Sequence, residues 1–242
     1  MVVIITGSTG GIGRCVAECA VKSSEVDKVY CMYRNEQKLN QWKYAGHPKV
    51  IPVWHDGCDP GEYTKLLQVL DDLQPDRIAY IHTAFQILPI KRIGTYLADE
   101  ARENISVNVL DMVLLANQLL QFAKDHKAQL RMIHIDSGAA DRPLEGWGLY
   151  AAAKAYANLF FRTVQLENPD VKVVAYEPGV VDTPMQEEIR KTDQSICGQA
   201  EQFRDYYHMG MLRSPDAVAG DLFERFVEGW DAKQFRERYQ GC

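Results

Sequence analysis

Six short apolar runs, at residues 2–5, 29–33, 50–53, 77–82, 130–135 and 171–176, punctuate the chain. They are nearly continuous rather than alternating, the pattern of strands covered on both faces. Between them, apolar residues recur three and four apart over 12–23, 35–43, 61–73, 96–126, 147–167 and 215–228, which gives each predicted helix one apolar stripe. Strand and helix in alternation predict an α/β fold with a doubly wound parallel sheet of Rossmann type and right-handed crossovers. Ligands of such a sheet bind beyond the carboxyl ends of its strands. Residues 179–213 break the rhythm with a polar, bulky stretch, read as an excursion over the site, with a plain surface helix pair as the alternative. The tail after Gly229 shows no clear buried strand, and its structure stays open.

A length of 242 residues with 46% hydrophobic content suits one large domain over residues 1–242, since no repeat or linker divides it. The net charge of −6 and the scattered basic residues argue against a nucleic-acid surface. No segment reads as a signal peptide or as long enough to cross a bilayer, so the expectation is a cytoplasmic protein with no membrane partner. Cys15, Cys19, Cys31, Cys58, Cys197 and Cys242 show neither C-x-x-C spacing nor histidine partners. Reduced thiols are expected, and no metal site.

The chemistry begins directly after the first strand. Gly7, Thr9, Gly10, Gly11, Ile12 and Gly13 form a T-G-x-x-x-G-x-G loop that opens a helix. Glycines there allow close backbone approach, and the helix N-terminus offers free N–H groups to a pyrophosphate. A dinucleotide is the expected ligand. At the end of the second strand stand Arg34 and Asn35 rather than a carboxylate; an arginine pairs with a 2′-phosphate, so NADPH/NADP is favoured over the unphosphorylated cofactor. Asp56, after the third strand, is a candidate acceptor for the adenine amino group.

Tyr150 and Lys154 stand four apart on a predicted helix, hence on one face. A neighbouring ammonium favours the phenolate and predicts a Tyr150 pKa below the usual value of about 10. On its own the pair reads more readily as a packed ring beside a solvated amine.

With the glycine loop, Ser137, Tyr150 and Lys154 in order, the chain resembles the short-chain dehydrogenase/reductase family over nearly its whole length. Within it, residues 146–150 and the run LENPDVKVVAYEPGVVDTPMQ are similar to sepiapterin reductase and to relatives that reduce benzil-type diketones. The resemblance implies NADPH-dependent reduction of a small carbonyl or vicinal dicarbonyl compound. It makes Tyr150 the proton donor, Ser137 the group that holds the carbonyl oxygen, and Lys154 the residue that binds the nicotinamide ribose and tunes Tyr150. It makes Asn108 the residue that holds a relay water near the lysine. Pro178 and Gly179, with the Val181 backbone and the Thr183 hydroxyl, would fix the carboxamide, and Ala84 would give a small contact beside the cofactor.

Two features depart from the family pattern. His82-Thr83-Ala84-Phe85 replaces Asn-Asn-Ala-Gly, putting a phenyl ring where the family has glycine. The tail offers only Asp231 and Glu237 as an acidic pterin anchor, without a convincing match. Trp147, Met185, Phe203, Tyr206, Tyr207 and Met209 are expected to line an apolar substrate pocket. The resemblance further implies a homodimer or homotetramer built on helices 96–126 and 147–167. Two alternatives stay open: a regulator that senses NADP(H) without catalysis, and an NADP-dependent alcohol dehydrogenase.

Overall fold

In the first strand, β1 (Val2–Thr6), all five residues are buried. Val2 and Ile4 face one core and Val3 and Ile5 the other, as the two-residue period of a strand requires. This computed structural model describes residues 1–55 and 61–241. After β1 follow α1 (Gly11–Lys22), β2 (Lys28–Tyr33), α2 (Glu36–Asn40), β3 (Val50–Trp54), α3 (Gly61–Leu73) and β4 (Arg77–His82). A long crossover then comprises α4 (Ala98–Ile105), a π-helical stretch at Ser106–Leu110 and α5 (Asp111–His126). The chain continues through β5 (Gln129–Ile135), α6 (Gly148–Glu167), β6 (Lys172–Glu177), α7 (Pro184–Lys191), α8 (Ala200–His208), α9 (Pro215–Leu222) and β7 (Arg236–Arg238).

Among the described residues the strands form one seven-stranded sheet in the order β3-β2-β1-β4-β5-β6-β7, with every pairing parallel. The expected doubly wound α/β architecture is present. Helices α1 and α9 cover one face, where Val16, Val218 and Phe226 meet Ile5 and Val174. Helices α3, α5 and α6 cover the other, where Leu66, Leu115 and Phe161 meet Ile4 and Tyr80. Pro52 lies on the edge strand β3, where a residue without an N–H is tolerated. Strand order reverses at β1 and β4, so a crevice opens beyond their carboxyl ends.

Three sequence expectations change. The helix Ala98–His126, at 29 residues, is long and apolar enough to cross a membrane, contrary to the reading that no stretch is. Its apolar stripe, including Met112, Leu115, Leu119 and Phe122, is instead buried against the sheet. The tail left open supplies β7, paired with β6 through Ala175↔Arg236 and Glu177↔Arg238. Residues 179–213, left between two readings, contain a helix pair, α7 and α8; Ile189 and Ala200, with Cys197 between the helices, pack with Trp147 and Tyr150.

Candidate active site

A cavity of about 950 Å³ lies over the carboxyl ends of the strands, at the upper end of the usual size for a ligand site. Its floor is the glycine loop. Ser8 ties that loop to β2, its hydroxyl donating to Met32 O at 2.9 Å. A Cβ on Gly13 would fall 2.5 Å from Gly7 O, so only glycine lets α1 start so close to the loop. A Cβ on Gly10 would meet nothing within 4 Å and would project into open space. Gly10 gives α1 no side-chain cap, and no acid stands in its first turn. The helix therefore presents uncapped N–H groups to an anion. Thr9, Gly11, Ile12, Ala84, Pro178, Gly179, Val181 and Thr183 also line the cavity.

Near the glycine loop and the end of β2, Arg34 and Asn35 line the cavity together with Lys38. Arg34 is exposed, and among the described residues it forms no ion pair. Asn35 acts locally, its Oδ1 accepting from Lys38 N at 2.9 Å to cap α2. Lys38, which the sequence reading missed, brings a second cation to Arg34. Asp56 lies outside the described residues.

The reactive groups converge beyond β5. β5 ends at Ile135, Asp136 and Ser137 line the cavity beyond it, and α6 carries Tyr150 and Lys154 to the same wall. Ser137 caps the short turn Gly138–Asp141, accepting from Ala139 N at 3.2 Å, and also hydrogen-bonds the Tyr150 phenol. Burial pushes the phenol up to about 12; the Ser137 bond pulls it down and the Asp136 charge adds to the rise. This corrects the expectation of a lowered Tyr150. Lys154 does not touch the phenol oxygen: its Nζ donates to Ile135 O at 2.6 Å and stands 3.1 Å from the Phe85 ring centroid, against 5.6 Å from the Tyr150 ring. Burial draws the Lys154 ammonium down to about 7, against an upward pull from Asp136.

The Asp136 carboxylate is held elsewhere. It accepts from Asn158 Nδ2 at 3.0 Å and pairs with Arg236 of β7, so the C-terminal strand neutralises a buried charge beside Ser137. Asn108 is buried but does not reach the cavity. Its Oδ1 accepts from Gln86 N at 2.8 Å, and its Nδ2 donates to Gln86 O at 2.9 Å and Asn104 Oδ1 at 3.1 Å. The side chain thus clamps the segment after Phe85.

Arg213 straps the 178–183 loop from below. Its N–H donates to Val180 O at 2.9 Å, its O accepts from Asp182 N at 3.0 Å, and its Nη1 donates to Pro178 O at 2.6 Å. The guanidinium also lies 4.7 Å from the Tyr239 ring centroid. Gly179 has φ +74°, and a Cβ there would overlap the guanidinium. Thr183 caps α7, its Oγ1 accepting from Gln186 N at 3.3 Å.

Packed beside Tyr150, part of the lining is apolar. Ile87, Leu144, Trp147, Met185, Phe203 and Tyr206 line the cavity, with Trp147 and Phe203 stacked at 5.7 Å. Tyr207 and Met209 do not line it; both are exposed, and Tyr207 instead lies under Arg190. Neither Asp231 nor Glu237 lines the cavity. Glu237 is buried against Arg225 at 3.2 Å and accepts from Lys233 N and Gln234 N, so it holds the tail together.

Residues 1–194 match the family described as short chain dehydrogenase. A benzil reductase ((S)-benzoin forming) of Bacillus subtilis (strain 168) is 30% identical over 96% of this chain and 98% of its own. A sepiapterin reductase of Bos taurus is 30% identical over 78% of this chain and 76% of its own. Among solved structures, the closed form of a serine dehydrogenase complexed with NADP+ superposes with a TM-score of 0.79 at 20% identity, covering 98% of this chain and 94% of that one.

Proposed function

Because this chain belongs to the short chain dehydrogenase family and is thereby an oxidoreductase, we propose that it reduces a small carbonyl compound with NADPH. A vicinal diketone of the benzil type is the first candidate substrate and sepiapterin the second. The observation that carries this reading is that Ser137, Tyr150 and Lys154 line one cavity together with a group of apolar and aromatic side chains.

The glycine loop and the uncapped start of α1 suit a pyrophosphate, and Arg34 with Lys38 suits a 2′-phosphate. Lys154 would hold the nicotinamide ribose, and the Pro178–Thr183 loop the carboxamide. When bound, NADPH supplies the hydride. Tyr150, kept protonated far above neutral pH, donates its proton to the carbonyl oxygen. Ser137 donates a hydrogen bond to that same oxygen and stabilises the charge it develops. Trp147, Phe203, Leu144 and Met185 offer flat, water-excluding contact to an aromatic substituent. With Asp231 and Glu237 away from the cavity, neither supplies an acidic pterin anchor, and this favours the diketone.

The test is NADPH oxidation in the presence of benzil, sepiapterin and a panel of simple ketones. Tyr150→Phe should lower kcat by about 10²–10⁴-fold, the usual contribution of a general acid, while NADPH binding persists. Binding of NADPH with no turnover of any carbonyl by the wild-type protein would replace this reading with that of a sensor.

A further inference from the structure

Lys154 is 2% exposed, and among the described residues no carboxylate stands within ion-pair distance of it. A buried ammonium without a counter-ion needs other compensation. Asp136, the nearest acid that acts on it, is committed to Arg236 and Asn158. What touches the ammonium is the Ile135 carbonyl on one side and the face of the Phe85 ring on another. An ammonium 3.1 Å from a ring centroid lies well inside the 6 Å range in which the ring quadrupole attracts a cation.

The ring is itself fixed. It meets His82 edge-on at 5.0 Å, His134 at 5.6 Å and Tyr150 edge-on at 6.4 Å. His134 in turn stacks on Phe161 at 5.2 Å. Burial holds both histidines neutral, His82 down to about 3 and His134 well below its ordinary value. The groups around Lys154 are therefore Tyr150 on its own helix, neutral His134 and charged Asp136 at β5, neutral His82 on β4, and Arg236 on β7 behind Asp136. None of them offers the ammonium a free negative charge.

We propose that Phe85 is a positioning residue for Lys154: its ring, set where the family has glycine, stands in for a counter-ion, its electron-rich face favouring the charged ammonium and holding it at the cavity. Two of the three N–H directions of Lys154 are thereby spent on Ile135 O and the ring. The third is left for the nicotinamide ribose. The charge of a lysine placed in this way depends on an aromatic face. The consequence for catalysis rests on the carbonyl-reductase reading above; the contact itself does not.

The contact is testable by NMR of protein labelled with [13Cε]lysine, with the Lys154 signal assigned by its loss in Lys154→Arg. Phe85→Leu keeps most of the volume and removes the quadrupole. It should lower the Lys154 midpoint by about half to one and a half pH units, the size of a partly to fully desolvated cation–π contact. Phe85→Tyr should leave the midpoint close to wild type. Pentafluorophenylalanine at position 85 keeps the shape and inverts the quadrupole, so it should lower the midpoint even if Phe85→Leu fails to fold. The pH at which NADPH affinity weakens should move with the midpoint in each variant. An unchanged or raised midpoint in Phe85→Leu or in the pentafluoro protein overturns the proposal. Because the titration needs no turnover, absence of carbonyl reductase activity would remove the proposed function and leave this result standing.

Discussion

Arg34 is exposed and unpaired among the described residues, and it lies beside Lys38 on the cavity wall. A 2′-phosphate between them would accept charge-assisted hydrogen bonds, each worth about 1.5–3 kcal/mol. Arg34→Ala should therefore lower kcat/KM with NADPH by about 10- to 100-fold and leave the NADH value nearly unchanged. Joining Lys38→Ala should erase the remaining preference. A cofactor preference that survives both substitutions would remove these residues as phosphate readers. Buried histidines give a second prediction at this scale. His82 and His134 stay neutral in the folded protein far below the ordinary histidine pKa of about 6.5. Above that pH they are neutral in both states and add no pH dependence. Below it the unfolded chain takes up protons that the folded chain refuses, so stability falls as pH drops from about 6.5 toward 3. Each group adds a slope of about 1.4 kcal/mol per pH unit. Both ring nitrogens of His134 lack a hydrogen-bond partner among the described residues. His134→Phe keeps the stack on Phe161, and urea unfolding at pH 7 and pH 5 should show a shallower loss than wild type. Equal losses would exclude His134 as a source.

At the scale of elements, the 178–183 loop is shaped by a segment far along the chain. Arg213 satisfies three of its backbone groups, from Pro178, Val180 and Asp182, and is itself covered by Tyr239. Arg213→Met keeps the aliphatic stem and loses the guanidinium contacts. KM for NADPH should rise about tenfold, the worth of one charge-assisted bond, with a smaller change in kcat. Steady-state kinetics beside a thermal melt separate this from general destabilisation, which would lower Tm and leave the cofactor KM in place. This strap also marks where sequence reading stopped. Strands β1 to β6 were legible because buried parallel strands are continuous apolar runs, and the helices because each carries a stripe. β7 was not, since Arg236, Glu237 and Arg238 look solvated until Asp136, Arg225 and Glu177 are placed beside them. Tyr150, Lys154 and Ser137 were singled out by the resemblance to the family, and all three line one cavity. Their electrostatics were not legible: the spacing of Tyr150 and Lys154 implies a cation beside the phenol, but only the packed core reveals Phe85 taking that cation and burial raising the phenol.

For the whole molecule, the outer face of α6 stands out as apolar and exposed. Inward, α6 buries Tyr150, Ala153, Lys154, Ala157 and Phe161. Outward it exposes Tyr156, Leu159 and Leu166, the two leucines 69% and 82% accessible, and the long crossover adds Ile105 and Leu110. Leu159 and Leu166 are seven apart, hence on one face. Burying one leucine contributes about 1.5–3 kcal/mol, and a two-fold interface uses each patch twice. These helices are therefore expected to pack against a second copy, giving a homodimer or, with another such face, a homotetramer. Light scattering on the eluted protein should report two or four chain masses, and Leu159→Arg combined with Leu166→Arg should reduce it to one. Since α6 carries both Tyr150 and Lys154, release of its outer face should slow kcat more than it weakens NADPH binding. A wild-type protein that elutes as a single chain, or a double variant that keeps its mass, would show that this apolar face stays in water.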